Sequence, residues 1–135
     1  MHRMADIEAG LRRVLESRSE VRFALLFGSV VARGPDEARD VDVGAAFRAP
    51  LSLMELGRLE GDLEREIGRT VDLVDLDQAT TLLRWDVART GRLLCSSDPL
   101  ALLEFKARVP IEFFDLQPHR ERQASGLRRA LGARS

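Results

Sequence analysis

Two short segments carry residue types whose spacing could do chemistry. Phe27-Gly28-Ser29 is followed, after ten intervening residues, by Asp40-Val41-Asp42. Glycine at a strand-to-helix junction lets the backbone come close to a ligand, and the first amides of the following helix are unpaired donors suited to an anion. Ser29 adds a hydroxyl there, in a position where it could also cap the helix, and Arg33 is a candidate phosphate contact. Carboxylates at positions i and i+2 of a strand project from one face, where Asp40 and Asp42 can share a hard divalent cation such as Mg²⁺. Without a cation the two charges repel, so metal is the natural resolution of the pair. Asp72 becomes a third carboxylate on that face if its strand pairs beside theirs. Asp75 takes its place if the register slips by one residue.

Three carboxylates beside a phosphate cradle suit phosphoryl or nucleotidyl transfer with two metal ions. One ion and the helix N-terminus would hold a triphosphate, while the other lowers the pKa of an acceptor hydroxyl for in-line attack at the α-phosphorus. Asp72 is best placed to help the acceptor lose its proton, and pyrophosphate leaves.

The elements that must position these groups are legible from periodicity. Residues 5 to 17 place Ile7, Leu11, Val14 and Leu15 on one helical face. Val21 to Phe27 is an almost continuous apolar run, suited to a strand buried on both sides. Residues 40 to 47 alternate with period two, sending Asp40, Asp42, Gly44 and Ala46 one way and Val41, Val43, Ala45 and Phe47 the other. A second long helix over 51 to 67 ends at Gly68. The strand 71 to 76 turns Asp72 away from Val71 and Leu73. A helix over 78 to 90 puts Leu82, Leu83 and Val87 inward, and a short strand over 92 to 95 follows. Ser97-Asp98-Pro99 starts a last helix, expected to run to about Leu116 and to bend or break near Pro110.

The chain has 135 residues, enough for one domain with a single core. The expected division is a domain over residues 1–116 and a basic tail over 117–135, helical or disordered. That tail carries a net charge of +4 (five Arg, one Glu), while the whole chain is at −1. This balance argues against electrostatic nucleic-acid binding, and aromatics at 5% give little support for base stacking. Trp85, Phe105, Phe113 and Phe114 are expected in core or interface. One Cys and two His cannot make a zinc site of His and Cys ligands or an internal disulfide, and Cys95 reads as a buried small hydrophobe. With no membrane span or apolar leader in view, a cytoplasmic location is expected.

Gly28-Ser29, the ten-residue gap and Asp40-Val41-Asp42 match the GSx10DxD signature, and the sequence resembles the DNA polymerase β-like nucleotidyltransferases. The Ala32-Arg33-Gly34 step, Val71 to Leu76, and the run from Leu82 through Gly91-Arg92-Leu93-Leu94 look like its minimal nucleotidyltransferase branch, over about residues 8 to 116. The resemblance implies an α+β fold of two-layer α/β type, with a small mixed sheet of about four strands flanked by helices. It implies Mg²⁺-dependent use of ATP, with metal ligands at Asp40, Asp42 and Asp72. It further implies an antitoxin of a HEPN toxin–antitoxin pair, transferring AMP to a tyrosine of the HEPN ribonuclease in a hetero-oligomer. The alternatives are a non-catalytic antitoxin that neutralises its toxin by complex formation, and transfer to a small molecule. Arg39 stands where the family often has Ser, and is expected to face solvent; Cys95 replaces a frequent aromatic.

Overall fold

The computed structural model describes residues 3–130, with side chains described as far as Asp115. Its elements are α1 (Met4–Glu16), β1 (Val21–Phe27), α2 (Ser29–Arg33), β2 (Val41–Phe47), α3 (Leu53–Ile67), β3 (Val71–Asp75), α4 (Thr81–Thr90), β4 (Arg92–Ser96) and α5 (Pro99–Ala130). The strands form one sheet in the order β3-β2-β1-β4. β1 runs antiparallel to both β2 and β4, while β2 and β3 are parallel and joined over the sheet by α3. The result is the small mixed four-stranded sheet flanked by helices that the family resemblance implies.

Helices cover both faces because the central strand is apolar on both. Ala24, Leu26, Val41, Val43, Ala45 and Phe47 pack with residues of α1 and α3. Phe23, Leu25, Phe27 and Ala46 pack with Val87 of α4 and with Phe105 and Val109 of α5. The register of β1 against β2 shifts between Val21 and Phe23, which is how two residues a strand period apart reach opposite cores.

Local chemistry sets the boundaries. Ser52 and Glu55 close a capping box, so α3 begins at Leu53, and Gly68 ends it with φ of 68°. Thr80 caps α4 by accepting from the Leu83 amide at 3.2 Å, and Asp98 caps α5 by accepting from the Ala101 amide at 3.1 Å.

Two expectations about the helices change. Leu82 is 55% exposed, because a helix that begins at Thr81 with Val87 on its buried face turns position 82 outward. The helix α5 is not interrupted at Pro110. Proline there removes one hydrogen bond, and the turn is held by Phe105 and Val109 against the sheet and by Arg84 against Glu112 at 3.5 Å. The backbone of α5 continues past residue 116 to Ala130; residues 131–135, and the side chains of the expected basic tail, lie outside the described residues. Among the described residues no helix is long and apolar enough to cross a membrane.

Leu63 is fully buried between α3 and the sheet, whereas Leu82 is exposed. Leu63→Ala is expected to cost about 2–5 kcal/mol in urea unfolding, and Leu82→Ala within about 0.5 kcal/mol.

Candidate active site

The candidate site lies where β1 ends and β2 and β3 begin. Phe27 sits opposite Asp42 in the antiparallel ladder, so the chain turns over Asp42 as it leaves β1. Gly28 makes that turn with φ of 78°. A side chain at Gly28 would place Cβ 2.2 Å from Asp42 Oδ2, so glycine is required both for the backbone conformation and for the space the carboxylate fills.

On its other side Asp42 is the direct register partner of Asp72 across the parallel ladder. That register keeps Asp72 exposed and turns Asp75 to the opposite, buried face. Asp75 is occupied locally: its Oδ1 accepts from the Asp77 amide at 3.0 Å, and burial pushes its pKa up. Asp40 lies just before β2 and is exposed. The approach to it is anchored on the other strand, since the Val41 amide donates to Thr70 O at 2.9 Å and the Arg69 guanidinium donates to Ala38 O.

The electrostatics of the three carboxylates follow from this packing. Asp42 is held above the ordinary carboxylate range, first by burial and then by the charges of Asp72 and Asp40. Among the described residues none of the three forms an ion pair with Arg or Lys. Their mutual repulsion is therefore uncompensated by the protein, and hard oxygen donors in that state fit a divalent cation. Among the described residues no group of three or more His, Cys, Asp or Glu side chains is arranged to hold a metal ion. The carboxylates are donors sharing one end of the sheet, with the Gly28 backbone pressed against the middle one.

The remaining candidates flank this end. Ser29 is the first residue of α2 and half-buried; Gly28 occupies the capping position, so the Ser29 side chain does not cap the helix. Arg33 is exposed in the last turn of α2, and Arg39 is exposed as expected. Cys95 is half-buried and its thiol is pushed up to about 11, chiefly by burial, which leaves little thiolate for nucleophilic chemistry. Trp85 stacks on Phe113 at 4.5 Å and Phe23 meets Phe105 at 5.4 Å, so these aromatics pack against one another.

Periodicity gave no signal for three supporting residues. Glu64 and Glu60, one turn apart on α3, accept from the amides of Val71 and Leu73, each at 2.9 Å. These amides face away from β2, so two carboxylates finish the hydrogen bonding of an edge strand and hold Asp72 in register. Arg69 is the third, through its bond to Ala38. Each makes a long-range contact to backbone, which a helical or strand pattern does not encode.

This fold and this site define a nucleotidyltransferase domain. The family described as "Polymerase beta, Nucleotidyltransferase" matches residues 10–100, and the chain belongs to that family. No curated protein matches the sequence. Among solved structures, a toxin–antitoxin complex with AMP-PNP superposes with a TM-score of 0.79 at 22% identity, covering 89% of this chain and 97% of the matched one. The MntA-HepT toxin–antitoxin matches with a TM-score of 0.75 at 21% identity, over 90% of this chain and 96% of that chain. A complex of tri-AMPylated Shewanella oneidensis HEPN toxin with an MNT antitoxin gives 0.75 at 21% identity, over 90% and 95%. At these identities the likeness is one of fold.

Two outcomes follow from the geometry. Gly28→Ala is expected to destabilise the fold by about 2 kcal/mol in urea unfolding, because it combines a positive φ with a clash against Asp42. Asp42→Asn is expected to raise the melting temperature of the metal-free protein at about pH 7 by removing charge repulsion. A raised native pKa means that the folded state binds the proton more tightly than the unfolded chain. The wild type should therefore gain stability from this group as pH falls from neutral toward that pKa, and the variant should lack this gain. Thermal unfolding in EDTA from about pH 7 down to about pH 4, the ordinary carboxylate value, reads both.

Proposed function

We propose that the chain is a Mg²⁺-dependent nucleotidyltransferase that transfers AMP from ATP to a tyrosine of a HEPN-domain toxin, acting as that toxin's antitoxin in the cytoplasm. The observation that carries the reading is Asp42, pressed against Gly28, paired with Asp72 and charged against both neighbouring carboxylates. The fold shared with antitoxins of HEPN toxins over nine-tenths of the chain supports the choice of partner.

In this reading Asp40, Asp42 and Asp72 hold Mg²⁺. When bound, the ions neutralise the triphosphate and lower the pKa of the acceptor hydroxyl. The first amides of α2 and the Ser29 hydroxyl hold the phosphates, and Arg33 reaches them from the end of that helix. Gly28 lets the phosphates approach the backbone, where a side chain would intrude. Asp72, exposed on the edge strand, takes the proton from the attacking tyrosine oxygen. A bond forms from that oxygen to the α-phosphorus, the bond from the α-phosphorus to its bridging oxygen breaks, and pyrophosphate leaves. These 135 residues contain no Tyr, so they cannot themselves be the tyrosyl acceptor.

The test is to incubate the purified protein with Mg²⁺, α-labelled ATP and the product of the neighbouring gene as the candidate HEPN protein. Label is expected on the HEPN protein, and Asp42→Ala is expected to reduce the transfer rate by at least ~100-fold. Absence of transfer by the wild type would overturn the enzymatic reading. Protection of cells by an Asp40→Ala/Asp42→Ala protein that still binds the toxin would identify a non-catalytic antitoxin instead.

A further inference from the structure

On the face of the sheet covered by α4 and α5, a cavity of about 120 Å³ opens beside the start of β1, and three of its lining side chains are Arg22, Arg84 and Arg108. We propose that it is a binding subsite for a phosphoryl group, either free phosphate or the monoester of a small metabolite, distinct from the triphosphate cradle.

Position separates the two sites. Arg22 stands at the start of β1 and Gly28 follows its end, so six residues of strand set them about 20 Å apart. The cavity lies well below the ~300 Å³ at which whole-ligand pockets begin. A phosphoryl group fits that scale, and a complete nucleotide does not.

The donors are present and incompletely used. Arg22 Nε is buried without a hydrogen-bond partner. Its nearest carboxylate, Asp98, is 3.9 Å away, beyond hydrogen-bond reach, and caps α5 through its other oxygen. Arg84 is fixed by donating to Leu76 O at 2.6 Å and by lying over the Phe105 ring at 5.5 Å, while Glu112 stands 3.5 Å from its NH2. Arg108 forms no ion pair among the described residues.

Asp77 and Glu104 also line the cavity, and both are exposed, so the acidic groups are solvated while one guanidinium nitrogen is not. Guanidiniums present several donors in fixed planes, which matches the oxygens of a phosphoryl group. A phosphoryl group in the cavity would bring oxygen acceptors to the guanidiniums of Arg22 and Arg108, neither of which donates a hydrogen bond to a carboxylate among the described residues.

The subsite stands independently of the proposed AMP transfer, and its test uses no catalytic readout. The Arg Nε–Hε resonances of the full chain are followed by NMR while inorganic phosphate, then glycerol phosphate, is added at constant ionic strength with chloride as control. A saturable shift of the Arg22 resonance that chloride does not reproduce is expected. Arg108→Gln, an exposed position that leaves the core intact, is expected to weaken that binding at least about fivefold. Saturation by free phosphate identifies that source, and preference for glycerol phosphate identifies the monoester. A shift that tracks chloride, one confined to the Arg33 and Arg39 resonances, or an Arg22 shift whose affinity is unchanged in Arg108→Gln would overturn the proposal.

Discussion

The site depends on where the Asp42 carboxylate is held. It is sandwiched between a glycine backbone on one strand end and a second aspartate on the adjacent parallel strand. Burial, and then the like charges beside it, raise the pKa of the middle group, so the site is a locally destabilised feature borne by the rest of the fold. In the proposed reading, a bound cation would relieve the repulsion that the protein itself leaves uncompensated.

Much of the surrounding structure serves to keep that arrangement from relaxing. The central strand is clamped by apolar cores on both faces, which fixes the height of Phe27 and hence the turn at Gly28. The edge strand bearing Asp72 would be the easiest element to displace, and α3 counters this with Glu60 and Glu64 on its outward amides. Arg69 and the Val41 amide tie the loop before Asp40 to the start of that strand. The carboxylate arrangement therefore rests on hydrogen bonds that Glu60, Glu64 and Arg69 make to the backbone. At the far end of β1, on the face of α4 and α5, the arginine-lined cavity has room for a small anion without competing for the same groups.

The element order, the pairing of residue types with faces and the glycine–carboxylate constellation were legible because they are local. Period two in residues 40 to 47 sent Asp42 away from Val41 and Val43, and the ladder puts it there. Other features were misjudged for the same reason. Helical spacing alone put Leu82 inward, but the Thr80 cap sets where α4 begins, and that phase exposes it. Proline at 110 reads as a break in isolation, yet packing on both sides carries the helix across it. Ser29 looked able to cap α2, but Gly28 had already taken that position.

By itself the sequence determined which side chains could do the chemistry and the secondary elements that bear them, since both follow from residue type and spacing of a few positions. Only the tertiary structure decided that Asp72, not Asp75, stands beside Asp42, because a strand's face is defined by its partner, and the register Asp42 to Asp72 is a contact across thirty residues. It also decided that the site is electrostatically strained, because repulsion and desolvation depend on distance and burial rather than on order along the chain.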